Sequence, residues 1–181
     1  MEMNLPNKLT LLRVIMIPFF IFFMIADIDN GQIIAAILFI IASATDWLDG
    51  YIARKYNLVT TFGKFADPLA DKILVSAALI CLVEQGSVAS WIVILIITRE
   101  FAVTGLRVLA ASDNIVIAAS SWGKIKTVTQ MIAIIATLFN NYPFSLVNIP
   151  FSSIFMYLAA LFTLISGVDY FVINKQVFKE K

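Results

Sequence analysis

Apolar positions run along this chain in long blocks separated by compact polar ones. Six blocks, at residues 9–26, 32–53, 65–83, 89–109, 122–140 and 152–173, each come near the roughly 20 apolar residues that a helix needs to cross a bilayer core of about 30 Å. They do not alternate as barrel strands would, and an open sheet edge cannot be satisfied in lipid. The pattern therefore predicts an all-α integral membrane protein built as a six-transmembrane-helix bundle. No tandem repeat, low-complexity segment or linker interrupts it, so one membrane domain is expected over residues 1–181. The opening MEMNLPNKLTLLR reads as a short N-terminal interfacial segment leading into a helix, with Pro6 near its start. Asn7, Thr10 and Arg13 follow at spacings of three and share a face, and that face is polar.

Composition sharpens the membrane reading. The chain is 61% hydrophobic with a mean hydropathy of +0.93, well above a soluble domain of its size. A net charge of +1 supplies no basic surface for the phosphates of a nucleic acid. Cys81 lies alone in the apolar run LVSAALICLV and reads as core packing. The absence of histidine removes the commonest general base and the commonest zinc ligand, so carboxylates must do any acid-base work. Charge placement says more than charge total. With a cytoplasmic N-terminus, one side of the bundle receives all 13 Lys and Arg residues, while the other receives Asp27, Asp29, Glu84 and the uncharged NNYPFSLVN. Cations collect on the cytoplasmic side of short membrane loops, which predicts a multi-pass protein with both termini in the cytoplasm.

The polar block DWLDGYIARKYNLVTTFGKFADPLADK, residues 46–72, is the chemically unusual one. Asp46 and Asp49 fall about 60° apart around a helix and Asp67 and Asp71 about 40° apart, so each pair shares a face. The loop between them is short, which makes the two helices antiparallel neighbours and brings four carboxylates towards one volume. Unpartnered in a bilayer, each would cost on the order of 3 kcal/mol, so positive charge must sit among them. Lysine and arginine could supply it in a salt-bridged loop. Paired carboxylates on adjacent helices favour a metal instead, and oxygen ligands without His or Cys suit Mg²⁺, Mn²⁺ or Ca²⁺. Gly50, Ala53 and Gly63 are small residues beside the carboxylates that let a bulky ligand approach the backbone. Pro68 is expected in a first helical turn, holding Asp67 near the helix N-terminus.

Asp46, Asp49, Gly50, Ala53, Arg54, Gly63, Asp67 and Asp71 stand at spacings that resemble, without departure, the signature of the CDP-alcohol phosphatidyltransferase family. Eight fixed positions over 26 residues make that resemblance specific. It implies six transmembrane helices, usually in a homodimer, and transfer of a phosphatidyl group from a CDP-linked lipid to an alcohol with release of CMP. It also implies two divalent ions, Mg²⁺ or Mn²⁺. By resemblance Asp46, Asp49 and Asp67 are the principal metal ligands, and Asp71 touches a metal and serves as general base. Gly50 and Ala53 would lie against the cytidine or its ribose and Arg54 against the nucleotide phosphates. Gly63, Asn7 and Thr10 would complete the CDP-lipid site.

A second polar cluster bears on the acceptor. TREFAVTGLR, residues 98–107, sets Arg99 and Glu100 inside an apolar run with Arg107 near its end, and SWGKIKTVTQ, residues 121–130, opens the next span with Lys124 and Lys126. Lys126 and Gln130 share a face, as do Lys124 and Thr127. Lys124 reads as a snorkelling surface lysine, whereas the depth of Arg99 asks for an inward partner, either Glu100 or an anionic substrate group. Several cations together imply an acceptor that carries its own phosphate. NLPNKLTLLR, TREFAVTGLR and SWGKIKT are also similar to the bacterial phosphatidylglycerophosphate synthase branch of the family. That implies CDP-diacylglycerol as donor, sn-glycerol 3-phosphate as acceptor, and an active site on the cytoplasmic face of the bacterial cytoplasmic membrane, among membrane lipids. Arg99, Arg107 and Lys126 would bind the acceptor phosphate with Glu100 orienting the guanidinium groups. Asp169 and Tyr170 either complete that pocket or sit at the interface. Another phosphorylated alcohol, such as inositol phosphate, fits the same cations. Acidic residues on membrane helices also occur in divalent-cation transporters, a more distant alternative.

Overall fold

The computed structural model describes residues 4–56, 60–112, 117–118 and 120–178, with the side chains of residues 54, 61, 62, 64, 65, 112 and 178 outside the description. Its helices are α1 (Leu5–Ile25), α2 (Gly31–Lys55), α3 (Thr61–Glu84), α4 (Ser90–Ser112), α5 (Ser121–Leu138) and α6 (Phe151–Ile173). Short 3₁₀ turns at Phe144–Val147 and Lys175–Phe178 complete it. The all-helical expectation holds among the described residues. Three stretches, Leu5–Ile25, Gly31–Ala53 and Phe151–Ile173, are long and apolar enough to cross a membrane. Charged residues of the two candidate clusters also stand in α3, α4 and α5. The chain packs as two compact units, Met1–Gln85 and Gly86–Lys181.

In the first unit α1 packs against both α2 and α3, which meet each other less. Ile17, Phe20 and Met24 of α1 are buried with Ala35, Ala36, Phe39 and Ala42 of α2 and Ala70, Leu74, Ala78, Leu79 and Leu82 of α3. The alanines let helix backbones approach closely, and the Phe20 and Phe39 rings meet at 6.0 Å between centroids. Outward positions such as Phe19, Ile37, Ile41 and Ile80 are exposed apolar residues. The start of α1 differs from the expected interfacial segment: Asn4 caps the helix by accepting the Asn7 N–H at 3.1 Å, and the helix runs unbroken from Leu5. A proline early in that first turn loses no intrahelical bond, so Pro6 lets the helix begin there.

α3 departs in a similar way. Thr60 is its N-cap and accepts the Gly63 N–H at 3.0 Å, so the helix starts well before Pro68, which lies inside it. Pro68 is therefore not a first-turn proline, and Asp67 stands in the helix body. Pro68 removes one backbone bond where it stands, and the helix nevertheless continues through it from the Thr60 cap to Glu84.

In the second unit α6 is central and packs on α4 and α5. Its buried face is Met156, Ala159, Ala160, Thr163, Ser166 and Tyr170. Thr163 and Ser166 return their hydroxyl hydrogens to the carbonyls of Ala159 and Thr163, at 2.6 and 3.2 Å, so burial leaves neither donor unmet. Asn141 pins the connection between α5 and α6, donating to the Ile149 carbonyl at 2.6 Å and accepting the Ser152 N–H at 2.9 Å.

Candidate active site

The polar face of α1 organises the acidic block. Asn7, Thr10 and Arg13 are 5%, 1% and 0% exposed, and each reaches a different part of the first unit. The Asn7 Oδ1 accepts the Thr60 hydroxyl at 2.9 Å, which ties α1 to the cap of α3. Thr10 donates its hydroxyl to the Asp67 Oδ1. Its Oγ1 also lies 3.1 Å from the Pro6 carbonyl, but a hydroxyl has one hydrogen and an ionised carboxylate is acceptor-only, so the hydrogen belongs to Asp67. Arg13 forms two ion pairs with α2, from one terminal nitrogen to the Asp46 Oδ1 at 2.6 Å and from the other to the Asp49 Oδ2. The Asp46 side chain is 38% exposed and that of Asp49 only 2%.

The sequence picture of converging carboxylates left their positive partner to a metal or to loop Lys and Arg; in the structure Arg13 of α1 supplies positive charge to the Asp46–Asp49 pair. Arg13 was visible in the sequence as part of a polar stripe, but its link to the aspartates was not. Asp71 lies one turn beyond Asp67 and is exposed. Gly63 is buried, and a Cβ there would stand 3.2 Å from the Thr60 Oγ1, 3.3 Å from the Asn7 Oδ1 and 3.5 Å from the Asp67 Oδ2. Only hydrogen fits comfortably at that point. Gly50 and Ala53 are half-buried on the same helix as Asp46 and Asp49, and the Arg54 side chain lies outside the described residues.

Among the described residues, no three Asp, Glu or Cys side chains are grouped so as to hold a metal ion as they stand. The donor set nevertheless fits a hard divalent cation, because it offers only carboxylate and hydroxyl oxygens. Asp46, Asp49 and Asp67 against Arg13 leave a net negative charge, which attracts such an ion.

In the second unit Glu100 gathers cations. It accepts from Lys126 and, at 3.2 Å, from an Arg99 terminal nitrogen. Lys126 is buried, while Lys124 and Thr127 are exposed, as the split between an inward face and a snorkelling face requires. Gln130, one turn after Lys126, is also buried, and its Oε1 has no hydrogen-bond partner, nor does the buried Nε of Arg99. Arg99 lies close to two glycines: a Cβ at Gly123 would be 3.4 Å from its Nη2 and one at Gly167 would be 3.4 Å from its Cγ. Arg107 turns to α6 instead of joining Arg99 as a second guanidinium oriented by Glu100. Its Nε donates to the Tyr170 hydroxyl at 2.6 Å, and its guanidinium carbon lies 5.4 Å from the Tyr170 ring centroid. Tyr170 is buried with Val103 and Leu106, its hydroxyl on Arg107, and Asp169 is half-buried beside it in the chain. Arg99 and Lys126 against Glu100 leave a positive surplus suited to an anion.

A family model described as CDP-alcohol phosphatidyltransferase matches residues 3–165. A Bacillus subtilis (strain 168) protein named CDP-diacylglycerol–glycerol-3-phosphate 3-phosphatidyltransferase is 53% identical, over 97% of this chain and 97% of its own length. Proteins of the same name from Haemophilus influenzae and Rickettsia prowazekii are 41% and 39% identical, over 97% and 98% of this chain and 95% and 98% of their own lengths. The chain belongs to the CDP-alcohol phosphatidyltransferase family.

Proposed function

We propose that this protein transfers the phosphatidyl group of CDP-diacylglycerol to sn-glycerol 3-phosphate, giving phosphatidylglycerol phosphate and CMP in phospholipid synthesis. The observation that carries this reading is the pairing of an intact acidic signature, Asp46 to Asp71, with a cation-rich cluster around Glu100, in a chain that matches glycerol-3-phosphate phosphatidyltransferases end to end. The family match runs through both compact units, which supports one functional domain over the chain. Six membrane spans, cytoplasmic termini, a site on the cytoplasmic face of the bacterial membrane and a homodimer complete the proposal. The thirteen-to-none distribution of cations supports that orientation.

Asp46, Asp49, Asp67 and Asp71 would hold Mg²⁺ or Mn²⁺, as two ions. When bound, such ions neutralise charge on the pyrophosphate oxygens and align the displacement. The chain's own groups do the rest. Gly50, Ala53 and Arg54 hold the nucleotide, Arg54 as a bidentate donor to its phosphates. Gly63 keeps Asn7, Thr60 and Asp67 in close register. Asp71 accepts the proton of the attacking glycerol hydroxyl, a task that an exposed carboxylate can perform and then discharge to water. Arg99, Arg107 and Lys126 bind the acceptor's phosphate. Purified protein supplied with CDP-diacylglycerol and Mg²⁺ or Mn²⁺ should release CMP with glycerol 3-phosphate and not with inositol phosphate, serine or no acceptor. Release with a different alcohol would overturn the acceptor assignment while keeping the chemistry; no release with any acceptor would overturn both.

A further inference from the structure

Arg13 has no exposed surface, and its guanidinium reaches Asp46 through one terminal nitrogen and Asp49 through the other. Its Nε is buried without a hydrogen-bond partner. One helical turn earlier on the same face, Thr10 holds one oxygen of Asp67. Each of the three aspartates therefore gives one oxygen to α1 and keeps a second that α1 does not use.

Two roles for Arg13 toward a divalent ion are conceivable, and they have opposite signs. In the first, the guanidinium occupies the place of the ion and must leave before it binds. Arginine stays protonated in proteins, so leaving would strand a buried charge that already has one orphan donor. A buried charge without its partner is strongly destabilising. In the second role, the guanidinium stays and fixes both carboxylates by one oxygen each. Ligating carboxylates are commonly held in this way by outer partners.

We infer that Arg13, with Thr10, is a positioning residue for the acidic site: α1 grips one oxygen each of Asp46, Asp49 and Asp67 and so presents their other oxygens to a divalent cation. The inference rests on the metal reading proposed above, and goes beyond it by assigning the geometry of the ligands to a helix that supplies none of them. Neither Arg13 nor Thr10 touches the ion in this scheme.

The test uses full-length protein in detergent, stripped with chelator, and measures Mn²⁺ binding by electron paramagnetic resonance, independently of turnover. Wild type should bind Mn²⁺, and Asp49→Asn should lose that binding. Arg13→Gln should weaken it by about 10- to 100-fold, the usual effect of removing an outer-shell partner. Arg13→Lys keeps the charge but lacks the planar fork that spans two carboxylates, so it should weaken binding as well. Thr10→Val, which releases Asp67 alone, provides a further variant if those at Arg13 do not fold. Arginine or threonine variants that bind Mn²⁺ as tightly as wild type would overturn the inference and leave the metal site standing, and tighter binding in the Arg13 variants would assign Arg13 the displaced role. Wild type without Mn²⁺ binding that Asp49→Asn removes would overturn the metal reading and this inference together.

Discussion

Gly63→Ala is the perturbation whose consequence can be followed furthest from the coordinates. The added methyl would stand 3.2 Å from the Thr60 Oγ1, 3.3 Å from the Asn7 Oδ1 and 3.5 Å from the Asp67 Oδ2. The first two distances are shorter than a comfortable contact of about 3.5–4.0 Å, so Thr60 and Asn7 must give way by some tenths of an ångström. Both are tied down: Thr60 caps α3 through the Gly63 N–H at 3.0 Å and donates to Asn7 at 2.9 Å. Weakening the cap costs about 1 kcal/mol, and replacing glycine by alanine in a helix returns about 0.8–1 kcal/mol. The two nearly cancel, so the unfolding midpoint should stay within a few degrees of wild type. Activity should not survive so well. Asp67 at 3.5 Å is in ordinary contact and moves only through Asn7 and Thr60, by less than the shift of about 1 Å that can cost about 100-fold at a reacting site, so kcat/KM should fall by roughly 3- to 10-fold. CMP release and thermal unfolding measured on one detergent preparation separate the two effects. A variant with kcat/KM within about twofold of wild type would refute the claim that Gly63 is there to admit Asn7, Thr60 and Asp67 to one another.

Three further substitutions probe other parts of the account. Asp49→Ala should destabilise the metal-free protein more than Asp46→Ala, because the Asp49 side chain is 2% exposed and that of Asp46 is 38%; breaking a buried pair costs about 3–5 kcal/mol, and equal midpoints in thermal unfolding would contradict that ranking. Asp71→Asn should abolish turnover while CDP-lipid binding, read by titration, is retained, and normal turnover would remove Asp71 as the base. Arg99→Ala should raise the KM for glycerol 3-phosphate far more than that for the CDP-lipid, whereas equal effects on both would mean that Arg99 only supports the packing of Gly123 and Gly167.

How far the sequence could be read followed from the range of the forces involved. Helix existence was legible because apolar blocks of bilayer length report burial directly, and four of the six helices keep within three residues of the expected limits at both ends, whereas α1 and α3 each begin four residues earlier. Asn4 and Pro6 start α1 at Leu5, where the polar residues of the opening stretch suggested a separate segment. The acidic residues were legible because their spacing is a family signature. What joins them was not, since Arg13 meets Asp46 and Asp49 across 33 and 36 positions of chain, and no local pattern encodes such a pairing. The signal that could have found it was the stripe of Asn7, Thr10 and Arg13: three polar side chains on one face of a membrane helix require partners, and the aspartates were the obvious acceptors. Pro68 shows the opposite failure. A local rule placed it at a helix start, and the helix starts earlier, at the Thr60 cap. In the second cluster, Lys126 and Gln130 were correctly placed on one face, but the choice of Arg107 between Glu100 and Tyr170 depended on how α6 packs against α4.

The central claim is that phosphatidyl transfer ends on glycerol 3-phosphate. It is tested most directly by incubating purified protein with CDP-diacylglycerol, a divalent cation and ¹³C-labelled glycerol 3-phosphate, then weighing the lipid product by mass spectrometry. The account predicts phosphatidylglycerol phosphate carrying the whole glycerol label, formed in equal amount with CMP and absent after chelation. CMP formed alongside an unlabelled lipid, or no labelled lipid from active protein, would contradict it.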